Sequence, residues 1–239
     1  MRASLLVVVA AACNGSGQAR TDGRIDGHVD AYQIPATITI HGAARDPATS
    51  FTQQSAVAGA TITVFVLPDT TTPAATATTD ASGRFVATVS TGGQRLQLDI
   101  VASAPSHVDT HSFAAVVSDI YPTLDMLTTA EYAAAYTTTG VTQTSGTGMI
   151  ELDAIGYYAA HASFAAQPNG VVKYAPFGTL DANATSTDDS GRAFVLDAPP
   201  PTVTITPMWS SGGGTANASI PVFAGALTIA AIESPFGGD

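Results

Sequence analysis

Among the 239 residues, the groups with the most chemical scope are five histidines, a single cysteine and nineteen carboxylates, and their spacing limits what they can do. His28, His41, His107, His111 and His161 include no H-E-x-x-H pattern, and with one cysteine the chain cannot supply a Cys pair for a structural zinc site. His107 and His111 stand four apart, a helical spacing, but their surroundings read as loop and strand, so a chance spacing outweighs a metal site. No G-x-S-x-G or phosphate-cradling P-loop occurs, which leaves serine hydrolysis and nucleotide hydrolysis without support. Thr79/Asp80 and Thr187/Asp188 group hard oxygen donors, yet calcium takes about 6 to 8 oxygens in a recognisable series and neither loop has one; turn chemistry is the better reading. The aromatics Tyr157, Tyr158, Tyr174, Phe177 and Trp209 fall in the second half, where they could stack on sugar rings. Core packing outweighs that role, with Tyr157, Tyr174 and Trp209 kept as the ligand-facing candidates. The chain is therefore expected to be non-enzymatic, with no catalytic residue, no metal and no cofactor.

Cys13 carries a different chemistry. Met1 and Arg2 precede an apolar, uncharged run, ASLLVVVAAA, that ends at this cysteine. That order resembles a bacterial lipoprotein signal peptide, which implies acylation of Cys13 as the new N-terminus. As a helix the run would reach only about 15 Å, half of a hydrocarbon core of about 30 Å, so it cannot span a bilayer. An ordinary cleaved signal with an incidental cysteine is the alternative. Composition favours a lipid as the means of attachment: the formal charge is −11 and Lys173 is the lone lysine, so anionic membrane surfaces and nucleic acid are both poor partners. The expected partners are the membrane, through the N-terminal lipid, and an envelope protein or polysaccharide. The expected location is exported and membrane-anchored, at the outer membrane.

The elements that would position these residues are strands. Hydrophobic residues make up 45% and charged residues 11%, and the shortage of charge is filled by Thr, Ser, Ala and Gly, which suits half-buried strands and tight turns. Alternation marks TITIHG, GATITVFVL, ATATTD, RFVATV, RLQLDIVA and HSFAAVV in the first half. Thr128 and Glu131 then form a T-x-x-E capping box ahead of AEYAAAY, with Gly140 placed to close one short helix. Strand rhythm resumes with GMIELDAI, HASFAA, Val171 to Tyr174, NATSTD, RAFVLDA, TVTITPMW and ASIPVFAGALTIAAI. The second half repeats the first: Gly59-Ala60-Thr61-Ile62 corresponds to His161-Ala162-Ser163-Phe164, Thr79-Asp80 to Thr187-Asp188, and Leu96 to Val203, at offsets of 102, 108 and 107. A duplicated sandwich explains this more simply than one large barrel. The reading is a signal peptide at 1–12, a flexible tether at 13–35, a first sandwich at 36–120, a linker with the helix at 121–145, a second sandwich at 146–233 and a tail at 234–239.

Each half resembles the carboxypeptidase regulatory-like family, a prealbumin (transthyretin)-like sandwich. The likeness rests on Val57-Ala58-Gly59-Ala60-Thr61-Ile62-Thr63-Val64, on Thr79 to Phe85, and on Leu96 to Ala102; the second half keeps the turn at Thr187 to Phe194 but has His161 where glycine is favoured. The resemblance implies an all-β fold of two tandem prealbumin-like (Ig-like) antiparallel β-sandwiches joined by a linker with one short helix. Asp80 and Asp188 would bond backbone N–H groups across their turns, and Gly83 and Gly191 would supply a positive φ. The peptidase chemistry of the family's namesakes is absent. A hydroxyisourate hydrolase would need a C-terminal Tyr-Arg-Gly-Ser, whereas this chain ends Ser-Pro-Phe-Gly-Gly-Asp. A Lys-Asn isopeptide staple is excluded from the first half by the lack of lysine, and Lys173 reads as a surface residue. The expected role is a structural spacer or protein-interaction module, with carbohydrate binding or adhesion as the alternative.

Overall fold

The alternation of the first predicted strand becomes structure directly: in β1 (Thr37–Asp46) Ile38, Ile40, Gly42 and Ala44 face inward while their neighbours face out. A computed structural model describes residues 33–47, 54–155, 161–175, 179–210 and 216–233. The first half contributes β1, β2 (Ser55–Ala56), β3 (Thr61–Val66), β4 (Ala75–Thr78), β5 (Arg84–Ser90), β6 (Leu96–Ser103), β7 (Thr110–Val116) and β8 (Thr123–Asp125). Helix α1 (Thr129–Thr139) follows. The second half contributes β9 (Gly148–Ile155), β10 (Ser163–Gln167), β11 (Val171–Tyr174), β12 (Arg192–Ala198), β13 (Thr202–Met208), β14 (Ala218–Pro221) and β15 (Leu227–Glu233).

Two sandwiches result, each with its own core. In the first, the sheet of β2, β1, β5 and β8 packs on β4, β3, β6 and β7 around Ile38, Ile40, Ile62, Phe85, Leu98 and Ile100. In the second, β10, β13 and β14 pack on β9, β12, β11 and β15 around Ile150, Leu152, Phe164, Val195, Val203 and Ile205. The two sandwiches share a sheet, in the order β11-β12-β9-β15-β7-β6-β3-β4. The joint is β15, which pairs in parallel with β7 on one edge and with β9 on the other. Most pairings are antiparallel; β8, on β1, is the other strand that runs parallel to its partner.

Cross-strand registers show how the two cores lie. Residues directly paired across a sheet share a face, so Val64, Ile100, Ser112, Ile229, Glu151 and Phe194 form a row on one face. Val101, His111, Thr228, Ile150 and Val195 form the adjacent row on the other. The first row starts in the first core and the second row ends in the second core. The two outer sheets therefore cover opposite faces of the shared sheet. Helix α1 fills the vacant face beside the first sandwich, setting Tyr132, Ala135 and Tyr136 against Met149, Phe194, Leu196 and Leu227. Its capping box is formed as expected: the Glu131 N–H donates to Thr128 Oγ1 at 3.2 Å, the Glu131 carboxylate accepts from the Thr128 N–H at 2.8 Å, and Gly140 closes the helix at φ 67°.

The structure departs from the sequence expectation in detail. Thr123–Asp125, in the expected linker, forms β8; three residues are too few to show alternation. The NATSTD segment is not a strand, because the Asp181 carboxylate turns the backbone by accepting the Asn183 N–H at 2.8 Å. The final apolar run divides into β14 and β15 around a turn in which Gly225 has φ 70°.

Candidate interaction surface

The duplicated turns carry the repeat at atomic scale. Asp80 Oδ1 accepts from the Ser82 N–H at 2.8 Å, the Ser82 hydroxyl at 2.7 Å and the Arg84 N–H at 3.0 Å, and these bonds hold its carboxyl below the usual range, the Ser82 hydroxyl contributing most. Asp188 Oδ1 accepts from the Ser190 N–H at 3.0 Å in the same way. Gly83 and Gly191 have φ of 73° and 68°, and a Cβ on either would collide with the carbonyl oxygen of Ala44 or Ala154. The buried Thr79 hydroxyl accepts the Ala60 N–H at 2.8 Å, and Thr187 accepts the Ala162 N–H at 2.9 Å. His161 takes φ 64° where Gly59 takes 73°, so the departure in sequence preserves the backbone. These aspartates work as turn formers, with the Asp80 and Asp188 carboxylates turned onto their own backbones.

The repeat therefore aligns β1 with β9, β5 with β12 and β8 with β15: Ala44 accepts from Val57 and bonds Gly83 as Ala154 bonds Gly191, and β8 lies parallel to β1 as β15 lies parallel to β9. Arg84 matches Arg192, Val86 matches Phe194, His41 matches Glu151 and Tyr121 matches Ile229. These four matched positions have opposite fates in the two sandwiches.

In the second sandwich Glu151 and Phe194 are buried and Arg192 and Ile229 half-buried. Arg192 reaches Glu151 at 3.0 Å, Asp153 at 3.3 Å and, from the first sandwich, Asp125 at 3.3 Å. Gln54 Nε2 also donates to Asp125 at 3.0 Å. Burial pushes Asp125 up to about 6 despite Arg192, and burial pushes the fully enclosed Glu151 well above the ordinary carboxylate range, with Asp153 and Asp125 adding to it. Burial alone would lower the Arg192 pKa, but Glu151, Asp153 and Asp125 more than offset that and raise it. Three carboxylates around one guanidinium form a fastening between sandwiches. Sequence reasoning missed it, although Glu151 and Asp153 stand two apart in GMIELDAI, a strand whose other positions are apolar on both faces.

In the first sandwich the same positions line an open groove. His41 stacks on Tyr121 with centroids 5.3 Å apart and planes 13° from parallel. Tyr121 is 74% exposed and Val86 59% exposed, which leaves apolar surface uncovered between them. Arg45 and Arg84 border it, and Arg45 is held by donating to the Ser82 carbonyl at 3.0 Å. In an acidic chain this is a local concentration of cationic and aromatic side chains, the residue types enriched where proteins meet.

The other sequence candidates lie elsewhere. Tyr174 and Trp209 are 6% and 5% exposed and pack in the second core, where the Tyr174 hydroxyl accepts the Phe164 N–H at 3.0 Å; neither offers a stacking platform. Tyr157 and Cys13 fall outside the described residues. His107 and His111 have separate partners: His111 stacks on Phe223 at 3.7 Å and meets Asp99 at 3.1 Å, whereas His107 Nδ1 lies 3.0 Å from the Pro105 carbonyl. Lys173 donates to the Ala182 carbonyl at 3.1 Å. Among the described residues no cluster of three His, Cys, Asp or Glu could hold a metal ion, and no helix is long and apolar enough to cross a membrane.

No protein-family model and no curated protein matches the chain. Among solved structures it is similar to the Bacillus anthracis TIE protein, at 9% identity and a TM-score of 0.29 over 82% of this chain and 34% of that one. The chain thus spans about a third of that protein's length. A DUF3823 family protein from Parabacteroides merdae aligns over 79% of this chain and 98% of its own, at 9% identity and a TM-score of 0.28. The N-terminal Ig1-2 module of the Drosophila receptor protein tyrosine phosphatase DLAR aligns over 83% and 92%, at 8% identity and a TM-score of 0.21. Likenesses this low leave the fold to be argued from its own strands. Those strands make the chain a tandem of two Ig-like β-sandwiches built on one shared sheet.

Proposed function

We propose that the chain is a lipid-anchored cell-envelope protein without catalytic activity, whose tandem sandwiches serve as a spacer and present the His41–Tyr121–Val86 groove to another protein. The observation that carries this reading is the uncovered apolar and cationic face of β1 and β5, whose counterpart in the second sandwich is covered by protein. The most perturbed carboxyls, Asp125 and Glu151, are paired with Arg192 inside the fold, which argues for a structural use of the chain's buried charge. Membership of the carboxypeptidase regulatory-like family is supported by the matched Thr-Asp-x-x-Gly turns. Export and anchoring are supported by the apolar run that ends at Cys13.

Two variants of the full chain test the reading. Cys13→Ala is expected to move the protein from the membrane fraction to the soluble fraction; retention in the membrane ends the anchor proposal. Tyr121→Glu with Val86→Glu is expected to abolish cross-linking to the envelope partner while leaving thermal melting unchanged. Unaltered cross-linking would show that the groove is not the docking surface.

A further inference from the structure

The groove has a counterpart inside the same molecule: α1 covers its face there, and the joint between the two sandwiches shows which strand edge docks beside it. In the second sandwich, β15 lies beside β9 and its other edge receives β7 of the first sandwich: the Leu227 N–H donates to the Asp109 carbonyl at 2.9 Å, and Thr110, His111 and Ser112 face Leu227, Thr228 and Ile229. In the first sandwich the segment matching 227–230 is 119–122, which lies beside β1. The Ile120 N–H donates to Thr39, and the carbonyls of Ile120 and Pro122 accept from His41 and Ala43. Alternation then turns the backbone groups of Asp119 and Tyr121 outward, as it does those of Leu227 and Ile229. Among the described residues no strand pairs with this outer edge.

The complementary edge is at the other end of the molecule. By strand pairing β14 matches β7, as β13 matches β6, with Leu98 rather than Leu96 in the place of Val203, two residues from the sequence alignment: Ile100 pairs with Ser112, and Ile205 with Ala218. β7 gives its outer edge to β15, whereas among the described residues β14 ends its sheet. The backbone groups of Asn217 and Ser219 point outward there, in the positions that His111 and Phe113 hold in β7.

Charge continues the correspondence. Asp125 of β8 supplies the bond from the first sandwich to Arg192. The residue that matches Asp125 is Glu233, at the end of β15, and the residue that matches Arg192 is Arg84; both are exposed. A second copy that docks its second sandwich on the groove, as the first sandwich docks inside each chain, brings Glu233 of one copy to Arg84 of the next.

We propose that the occupant of the groove is a second copy of this chain, joined head to tail: the β14 edge of one copy adds in parallel to residues 119–122 of the next, and Glu233 pairs with Arg84. The assignment rests on the groove being a docking surface, and it names the partner. The contact joins unlike surfaces and leaves one free at each end, so it propagates into a chain of copies unless the geometry closes a ring. The three-stranded and four-stranded outer sheets become the two parts of a new continuous sheet, repeating the joint at β15.

The test is sedimentation velocity of the full chain carrying Cys13→Ser, over a wide range of concentration. Mass that rises with concentration beyond a dimer is expected. Arg84→Glu and Glu233→Arg are each expected to weaken association about tenfold or more, and the two together to restore it, since like charges brought together at an interface repel and the swapped pair attracts. Ser219→Pro removes an outward N–H from β14 and is expected to block assembly independently of charge. Both charged residues are exposed, so circular dichroism should be unchanged in either variant. A chain that stays monomeric at every concentration overturns the proposal, as does association indifferent to all three substitutions. If the monomer still cross-links to a different envelope protein through Tyr121, the groove remains a docking surface and only the identity of its partner is refuted.

Discussion

Replacing Arg192 with methionine removes the guanidinium that Asp125, Glu151 and Asp153 share and leaves a side chain of similar length. All three partners lie within 3.3 Å of it, and Glu151 and Asp125 are 0% and 4% exposed. Removing one member of a buried ion pair costs about 3–5 kcal/mol, because the remaining charge stays desolvated. For a chain of this size each kcal/mol moves the melting temperature by about 2–4 °C, so Arg192→Met should lower it by roughly 6–20 °C. The loss should depend on pH. Asp125 and Glu151 have raised folded-state pKa values, so the folded form holds their protons more tightly than the unfolded form. The stability this supplies is fully present below the unfolded carboxylate pKa of about 4 and is lost as pH rises through the folded values, about 6 for Asp125. Without Arg192 the ionised carboxylates have lost their counter-charge, so the penalty should be larger at about pH 8 than at about pH 5, where protonation relieves it. Thermal and denaturant unfolding at both pH values measures this. A penalty equal at the two, or a shift under about 2 °C, would refute the electrostatic account of the joint.

Glu151→Gln keeps the shape and removes a buried charge, so it should flatten the fall in stability between about pH 5 and pH 8 seen in denaturant titrations. Gly83→Ala places a Cβ 2.6 Å from the Ala44 carbonyl at φ 73° and should cost about 1–3 kcal/mol, whereas Gly59→Ala, with the same φ and open space around it, should cost less. Equal losses by calorimetry would remove the steric part of that argument. Thr128→Ala removes the hydroxyl that accepts the Glu131 N–H while keeping the backbone N–H that the Glu131 carboxylate accepts, and should cost about 0.5–2 kcal/mol, read as lower thermal stability with the fold unchanged.

Local structure was legible where one residue type has one job. Thr128, Glu131 and Gly140 define α1 from sequence, and the Asp-x-x-Gly turns and alternating strands predict most of both sandwiches. The duplication was readable too, because it lives in those turns. What the sequence does not display is which edges meet. β15 reads as a strand, but its period of two says nothing about pairing in parallel with β7 and β9. The same blindness covers the junction: Arg84 and Arg192 occupy identical motifs, yet one is exposed and the other is enclosed by a carboxylate 67 residues earlier in the chain, Asp125. Tyr174 and Trp209 could not be assigned inward or outward until the face of each strand was known.

The position of β15 has a consequence for biogenesis. It is the last described strand in chain order, yet it sits in the middle of the longest sheet and satisfies the edge of β7, about a hundred residues upstream. At roughly 5–20 residues per second, a ribosome leaves that edge waiting for roughly 5–20 s after β7 has emerged. The early half of a nascent chain can form its own core during that interval, but with a strand edge open to any neighbour. A newly made molecule is then at risk of accepting the final strand of a sister chain in place of its own, and the crowding of polysomes should favour such swapped products over those made from dilute refolding.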